Sequence, residues 1–304
     1  MKKYCRTDLI CEGEGRLDNI EGTEYSSDTF GVCKIERLRI ISPEASEKLG
    51  RKTGTYVTLS TKKLTVPGDG ENEALAFILG NEIKKLLLRS TAPTPFDRDF
   101  SVLVVGLGNT DITSDAIGPK VVERITATRH VKTIDPKLYK KLGTCSVSTL
   151  LPGVLGKTGI ESAEIISITA KEIRPHAVII IDALAARSTD RLASTIQISD
   201  SGIMPGAGIG NFRKEINVEA LGIPVIAIGV PTVVDSATLI YDALYSFFPE
   251  NASEPILQKL DSSRNFFVTP KEADIIVNNA SALIANALSD VFSISDHLAS
   301  YNNI

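Results

Sequence analysis

The sequence predicts an α/β fold in which a mostly parallel sheet is flanked by helices and joined by a more β-rich N-terminal arm. The first observation is a set of short, continuous apolar runs, at Val102–Val105, Ala177–Ile181 and Ile223–Ile228. Such runs are apolar on both faces, as a parallel sheet buried between helices requires. The second observation is that a Gly or Asp and then helical periodicity follow each run. The third is a length of 304 residues with 43% hydrophobic and 23% charged residues, which indicates a globular chain with a sizeable core.

Helical periodicity predicts four helices between and after these strands. The last one starts with a favourable pattern, because Thr269 can act as its N-cap, Pro270 suits the first helical position and Glu272 can close a capping box. The predicted helices cover Pro119–Arg129, Glu161–Arg174, Val234–Phe247 and Pro270–Val291.

The first hundred residues are more polar and richer in turns. Short β-like runs at Leu38–Ile41 and Tyr56–Leu59 predict strands of an accessory sheet. Apolar residues recur at helical spacing over Glu71–Arg89, and a Pro-containing linker, Thr91–Asp97, follows that helix. We therefore expect an accessory N-terminal part up to residue 97 and a core unit over residues 98–304, within one domain.

Charge and cysteine content exclude several classes of protein. Lys and Arg total 33 and Asp and Glu total 37, so the net charge is −4; without a long basic run, direct nucleic-acid binding is disfavoured. The four cysteines match neither a CxxC pair nor a dense disulfide framework, which favours a reducing cytoplasm. The polar N-terminus lacks a signal-peptide core, and no apolar run reaches the roughly 18 residues of a membrane span. We expect neither export nor membrane insertion.

Two glycine-containing segments begin like nucleotide-binding motifs and do not complete them. The segment after Val105 starts as GLG, but Asp111 stands at the third glycine position, where its carboxylate would repel a pyrophosphate. Gly156 and Lys157 resemble the end of a P-loop, but Leu151 stands where that motif needs glycine. Neither HExxH nor GxSxG occurs. No cofactor and no bound metal are therefore expected.

Two carboxylates are placed where an open α/β sheet binds ligands. Asp182 directly follows the apolar run Ala177–Ile181, and Asp115 lies in the loop that leaves the strand at Val102, so both fall at carboxyl ends of predicted parallel strands. Two carboxylates held close together share a proton, so one can act as base and the other as acid on an amide. Helix capping by Asp115, and capping or pairing with Arg187 by Asp182, are the alternatives. Other aspartates could compete for the role: Asp111, Asp190, Asp200 and Asp235.

Several long segments, in one order along the chain, resemble the germination proteases of spore-forming bacteria. The first is VGLGNTDITSDAIGP at residues 105–119, and the others cover residues 151–161, 181–188, 195–202 and 222–235. The resemblance extends over about residues 5 to 290. It implies an endopeptidase that degrades the small acid-soluble proteins of the spore during germination, in the cytoplasm of the developing spore.

The resemblance also implies site residues and an assembly. The two essential aspartates of this atypical aspartic peptidase family carry over onto Asp115 and Asp182. The implied fold is similar to that of hydrogenase-maturation proteases, and the implied assembly is a homotetramer. Because carboxylates at related positions of those proteases contact a metal, a metalloprotease that uses the same two side chains as ligands stays open as an alternative.

The family is made as a zymogen that removes a short N-terminal segment before a large apolar residue. By this resemblance the chain is cut between Asp8 and Leu9, which leaves a propeptide of residues 1–8 and a peptidase domain of residues 9–304. Glu24 and Tyr25 form a second matching junction. An acidic residue before the cut implies a basic subsite, for which Arg187, Arg213 and Lys214 are candidates; solvated surface charge is the alternative for each.

A third hypothesis comes from a different class of protein. The crevice at the strand ends could hold a peptide or a nucleotide without any catalysis. Turnover that depends on Asp115 would exclude this binding protein.

Overall fold

The computed structural model describes residues 7–12, 20–61, 64, 70–210, 213–247 and 266–294. In this part of the chain a single sheet of nine strands is present, in the spatial order β1-β2-β3-β7-β8-β6-β4-β5, with β9 beside β8. The strands are β1 (Thr23–Phe30), β2 (Cys33–Ile40), β3 (Gly54–Ser60), β4 (Ser101–Gly106), β5 (Ser146–Leu150), β6 (Ala177–Ala186), β7 (Thr195–Ser199), β8 (Val225–Asp235) and β9 (Phe267–Val268).

The sheet has a parallel and an antiparallel half. Strands β5, β4, β6 and β8 pair in parallel, whereas β7, β3, β2 and β1 continue the sheet with antiparallel pairing. The N-terminal strands therefore extend the same sheet as the core. The predicted α/β fold, with a parallel sheet flanked by helices, is confirmed.

Helices cover both faces of the parallel half, which explains why its strands are apolar throughout. Val102 and Val104 of β4 pack in one core cluster, and Leu103 and Val105 pack in a second cluster on the opposite face. The helices in the described residues are α1 (Pro43–Leu49), α2 (Glu71–Thr91), α3 (Ile117–Val122), α4 (Arg129–Ile134), α5 (Pro136–Leu142), α6 (Leu155–Thr158), α7 (Ser162–Ile173), α8 (Val218–Leu221), α9 (Ser236–Phe247) and α10 (Ala273–Phe292).

The structure differs from the sequence-based expectation in several elements. The N-terminal strands belong to the main sheet and not to an accessory one, and β8 extends beyond the predicted run, to Asp235, so that α9 begins at Ser236. The helix predicted at Pro119–Arg129 is instead the short α3, and a separate helix, α4, begins at Arg129. Strand β6 continues past Asp182 because its C-terminal part still pairs with β8. Helix α10 begins at Ala273, and the Thr269 hydroxyl donates to the carbonyl of Thr232 at 3.0 Å instead of capping the helix.

Helix α10 is long and apolar enough, by composition, to cross a membrane. It contacts α2 and α3, and 61% of its most apolar stretch is buried inside the protein. Because other elements of the core surround α10, most of its circumference is expected to be apolar.

Two glycines allow α3 to approach β4 and β6 very closely. A Cβ added at Gly118 would lie 2.3 Å from the carbonyl oxygen of Leu107 and 2.5 Å from that of Ile181. A Cβ added at Gly106 would lie 2.4 Å from the carbonyl oxygen of Gly118. Since real Cβ atoms do not approach backbone oxygens so closely, only glycine fits at either position.

This packing predicts that Gly118→Ala destabilises the protein. We expect the free energy of unfolding to fall by about 1–3 kcal/mol, because the new methyl group overpacks a contact made of backbone atoms. Gly156→Ala is the matched control, since a Cβ at Gly156 meets nothing within 4 Å. Thermal unfolding followed by circular dichroism measures both variants; equal midpoints for the two would contradict the packing argument.

Candidate active site

Asp182 lies inside β6, beside the end of β4. Its side chain is 6% exposed, and its Oδ1 accepts a hydrogen bond from the Ala183 N–H at 2.9 Å. Burial raises the pKa of Asp182 well above its ordinary value, and the negative charges of Asp115 and Asp8 raise it further. Asp182 therefore keeps its proton to a higher pH than an ordinary aspartate does.

Asp115 ends a short 3-10 turn, Thr113–Asp115, before α3. The Asn109 N–H donates to its Oδ2 at 2.8 Å, and the Thr232 hydroxyl donates to the carbonyl of Ser114 at 2.6 Å. The turn also needs Gly108, which has φ +115° and where a Cβ would lie 2.0 Å from the Asp115 carbonyl oxygen. Burial raises the pKa of Asp115, and the Asn109 N–H partly offsets that rise.

The loop that carries Asp115 is fixed to the strand that carries Asp182. The Leu107 N–H, directly after β4, donates to the carbonyl of Ile181 at 2.8 Å. Both carboxylates line one cleft of about 1020 Å³. The two side chains favoured by the strand-end argument are thus brought together, and the charge of one raises the pKa of the other.

The competing aspartates have other partners. Asp111 is exposed and pairs with Lys157, and Asp200 pairs with Arg89. Asp235 accepts a hydrogen bond from the Thr238 hydroxyl at 2.7 Å. None of these three lines the cleft, and neither does Asp190. Asp115 does not cap α3 through its side chain, because the N-cap of that helix is Ala116.

The described N-terminal residues, 7–12, lie in the same cleft. The Asp8 N–H donates to the carbonyl of Ala185 at 2.8 Å, and the Ala185 N–H donates back to Asp8 Oδ2 at 2.8 Å. Leu9 is fully buried, in a cluster with Leu184, Ala186, Leu192 and Val234. Residues 1–6 of the predicted propeptide lie outside the described residues.

Main-chain donors surround the Asp8 carboxylate. N–H groups of Ala185 and Gly208 hydrogen-bond to it, and a Cβ at Gly208 would lie 2.2 Å from Asp8 Oδ2. Burial raises the pKa of Asp8, whereas the two N–H groups and the nearby Arg51 guanidinium act in the opposite direction. Arg51 also donates to the carbonyl of Thr7 at 2.8 Å.

Two further polar side chains, Gln197 and Glu12, form hydrogen bonds that hold residues 7–12 against the sheet. The Ile10 N–H donates to Gln197 Oε1 at 2.7 Å, and Gln197 Nε2 donates to the carbonyl of Asp8 at 3.2 Å. Glu12 accepts hydrogen bonds from the N–H groups of Arg187, at 2.7 Å, and Ser188, at 2.9 Å. Both contacts join residues that are far apart in sequence.

The three predicted cations of a basic subsite all line the cleft. Arg213 pairs with Glu161 at 3.4 Å, and Lys214 pairs with the exposed Glu164. Their role toward the acidic residue before the cut stays a prediction. Sequence reasoning missed Arg51, Gly208 and Gln197; two of them carried a signal, because Gln197 lies in the segment 195–202 that resembles the family and Gly208 lies between Gly206 and Gly210.

The donor set for a metal ion is small. Across the described ranges, no group of three or more His, Cys, Asp or Glu side chains is arranged to hold one. Within those ranges, Asp115 and Asp182 are two of the six carboxylate side chains that line the cleft; the others are Asp8, Glu12, Glu161 and Glu215.

Comparison with known proteins identifies the family. The family model described as germination protease matches residues 6–254. The germination protease of Clostridium perfringens is 39% identical over 93% of each chain, and that of Priestia megaterium is 42% identical over 79% of this chain and 66% of its own. A solved NiFe hydrogenase maturation protease, HycI from Thermococcus kodakarensis, is similar at 16% identity with a TM-score of 0.34, covering 65% of this chain and 95% of its own.

The family match and the similarity to the two germination proteases define a peptidase. The chain belongs to the germination protease family, and the resemblance found in the sequence is confirmed. Membership of this family makes it an endopeptidase that acts in spore germination.

The raised pKa of Asp182 predicts a pH-dependent gain in stability for Asp182→Asn. A carboxyl whose pKa is higher in the folded than in the unfolded chain destabilises the fold once it ionises, so this cost grows as pH rises above about 3.8. The melting temperature of Asp182→Asn should therefore exceed that of the uncut wild type by more at pH 8 than at pH 4.5.

Asp111→Asn is the control for this measurement. Asp111 is exposed and Lys157 lowers its pKa, so its substitution should have little effect, in the opposite direction. An Asp182→Asn difference that stays constant across the pH range would show that desolvation does not govern this carboxyl.

Proposed function

We propose that the chain is a self-processing zymogen that, once activated, hydrolyses small acid-soluble spore proteins after an acidic residue and before a large apolar one. One observation carries the proposal. The segment Asp8–Leu9, an acidic residue followed by an apolar one, is seated in the cleft that contains Asp115 and Asp182. An acidic–apolar junction of the chain itself thus lines the same cleft as the two aspartates.

The surroundings of that bond support the proposed specificity. The acidic side chain before it meets N–H donors of Ala185 and Gly208, which suit a carboxylate and offer nothing to an apolar group. The side chain after it, Leu9, lies in a fully apolar pocket. Arg187, Arg213 and Lys214 are kept as candidates for binding the acidic residue of a spore protein once the N-terminal segment has left.

The proposed mechanism uses the carboxyl pair as base and acid. Asp182, the more deeply buried, holds the shared proton, and ionised Asp115 removes a proton from the attacking water. The oxygen of that water bonds to the carbonyl carbon of Asp8. The C–N bond to Leu9 then breaks as Asp182 gives its proton to the leaving nitrogen. Because the two carboxyls interact, the pKa values that govern the reaction belong to the pair and not to either residue alone.

Assembly and location are proposed from the family resemblance alone. We expect a homotetramer in the cytoplasm of the developing spore, with no direct contact to nucleic acid or membrane. Light scattering of the purified chain would give the number of subunits.

Self-cleavage of the full chain tests the roles of the two aspartates. Asp115→Asn and Asp182→Asn should each slow release of residues 1–8 by about 10²–10⁴, because general acid–base catalysis is lost. Intact-mass spectrometry measures the new Leu9 terminus over time. Asp111→Asn should process like the wild type, and EDTA should leave the rate unchanged; a cut after Glu24, or normal processing by Asp182→Asn, would contradict the proposal.

Substrate specificity is tested with the self-processed protein and a purified small acid-soluble spore protein. We expect one initial cut, between an acidic and a large apolar residue. Replacing that acidic residue by its amide should lower kcat/KM by about 10- to 150-fold, because a charged partner of buried N–H donors is lost. Mass spectrometry of the fragments locates the cut. Equal cleavage of the amide form would exclude the acidic subsite.

A further inference from the structure

We propose that Gln197 is a third catalytic residue, which polarises the carbonyl of the bond to be cut. This inference rests on the proposed cut between Asp8 and Leu9 and assigns a role that the two aspartates do not fill. Gln197 Nε2 donates to the carbonyl oxygen of Asp8, the oxygen of that bond, at 3.2 Å.

The orientation of the Gln197 amide is determined by its two partners. The Ile10 N–H can only donate, so the atom 2.7 Å away must be Oε1. The carbonyl of Asp8 can only accept, so Nε2 must face it. The Gln197 amide therefore bonds to the chain on both sides of the Asp8–Leu9 peptide bond. Its Oε1 accepts from the Ile10 N–H, and its Nε2 donates to the carbonyl oxygen of the bond to be cut.

The sheet holds Gln197 opposite Asp182. Gly229 of β8 is in register with Asp182 of β6 on one side and with Gln197 of β7 on the other. Residues in register share a face of the sheet, and two strand spacings separate Asp182 and Gln197 by about 10 Å. A Cβ at Gly229 would lie 2.3 Å from the Leu184 side chain, so Leu184, which belongs to the cluster around Leu9, covers β8 between Asp182 and Gln197.

The position of Gln197 is rigid. It lies at the centre of β7, which pairs with β8 and, through Thr58, with β3. Its neighbours Ile196 and Ile198 are buried in the core on the opposite face. A donor fixed by the sheet needs no reorganisation when charge develops on the carbonyl oxygen.

The chemistry needs such a donor. Attack by water places negative charge on the carbonyl oxygen, in a region where the charges of Asp115 and Asp8 already raise the pKa of Asp182. A neutral amide N–H stabilises that charge without adding a titrating group. Removing one donor of this kind typically lowers kcat by 10²–10³.

The test compares Gln197→Glu and Gln197→Met in the full chain. Gln197→Glu keeps an acceptor for the Ile10 N–H and removes the donor, whereas Gln197→Met removes both without adding charge. Chains are made in a cell-free translation system, and mass spectrometry follows release of residues 1–8. We expect both variants to cut about 10²–10³ times more slowly than the wild type.

A second measurement separates catalysis from docking of the segment. In the inactive Asp182→Asn background, amide hydrogen exchange of residues 7–12 is compared with and without Gln197→Glu. Unchanged protection together with slow cutting supports the proposal, whereas lost protection means that Gln197 only anchors the segment and overturns it. Wild-type cutting rates in Gln197→Glu and Gln197→Met would also overturn it.

Ser199→Ala is the matched control on the same strand. The Ser199 hydroxyl hydrogen-bonds with Ser201, not with the N-terminal segment, so this variant should cut at the wild-type rate. If the wild type itself releases no residues 1–8, the proposed self-cleavage fails before Gln197 is tested. The two failures are therefore distinguishable.

Discussion

The close approach of the loop after β4 to strand β6 is the contact on which the site depends. Leu107 donates to the carbonyl of Ile181, one residue before Asp182, and Gly118 passes so near the same carbonyl that no side chain fits there. Asp115 lies between Leu107 and Gly118 in sequence, so both ends of its loop are held against the strand. The electrostatic coupling of the two carboxylates follows from this backbone contact rather than from any bond between their side chains.

Three aspartates line the cleft, and backbone amides stabilise them more directly than cations do. Asp182, Asp115 and Asp8 each accept a hydrogen bond from a main-chain N–H. Two lysine and arginine side chains nearby, Lys214 and Arg213, pair with glutamates instead. Burial raises the pKa of all three carboxyls and these hydrogen bonds partly offset the rise, so each keeps its proton to a higher pH than an ordinary aspartate does.

The sequence was sufficient to predict the parallel sheet, because continuous apolar runs are local signals. It also placed Asp115 and Asp182 at one edge of that sheet, but only the family resemblance singled them out from the other aspartates, and their catalytic role stays a prediction. The prediction from the sequence placed Asp182 just after the end of its strand. In the structure β6 continues beyond the end of β4, because its C-terminal part pairs with β8. The contact of Gln197 with Asp8 could not be predicted: the two residues are 189 positions apart in sequence, and only the assembled sheet brings them together. The final helix begins later than predicted because Thr269 bonds to Thr232 instead of acting as its cap.

Because Leu9 is completely buried, a cut before it would favour separation of the two new chain ends. Hydrolysis would convert one neutral amide, whose N–H donates to the Thr7 hydroxyl, into a carboxylate and an α-ammonium group beside a pocket lined by leucine, alanine and valine side chains. An isolated charge in such surroundings is costly, and the ammonium would have to leave for water or find a carboxylate. The new chain ends would thus be forced apart by their own hydration, and rejoining them would require both to be dehydrated again.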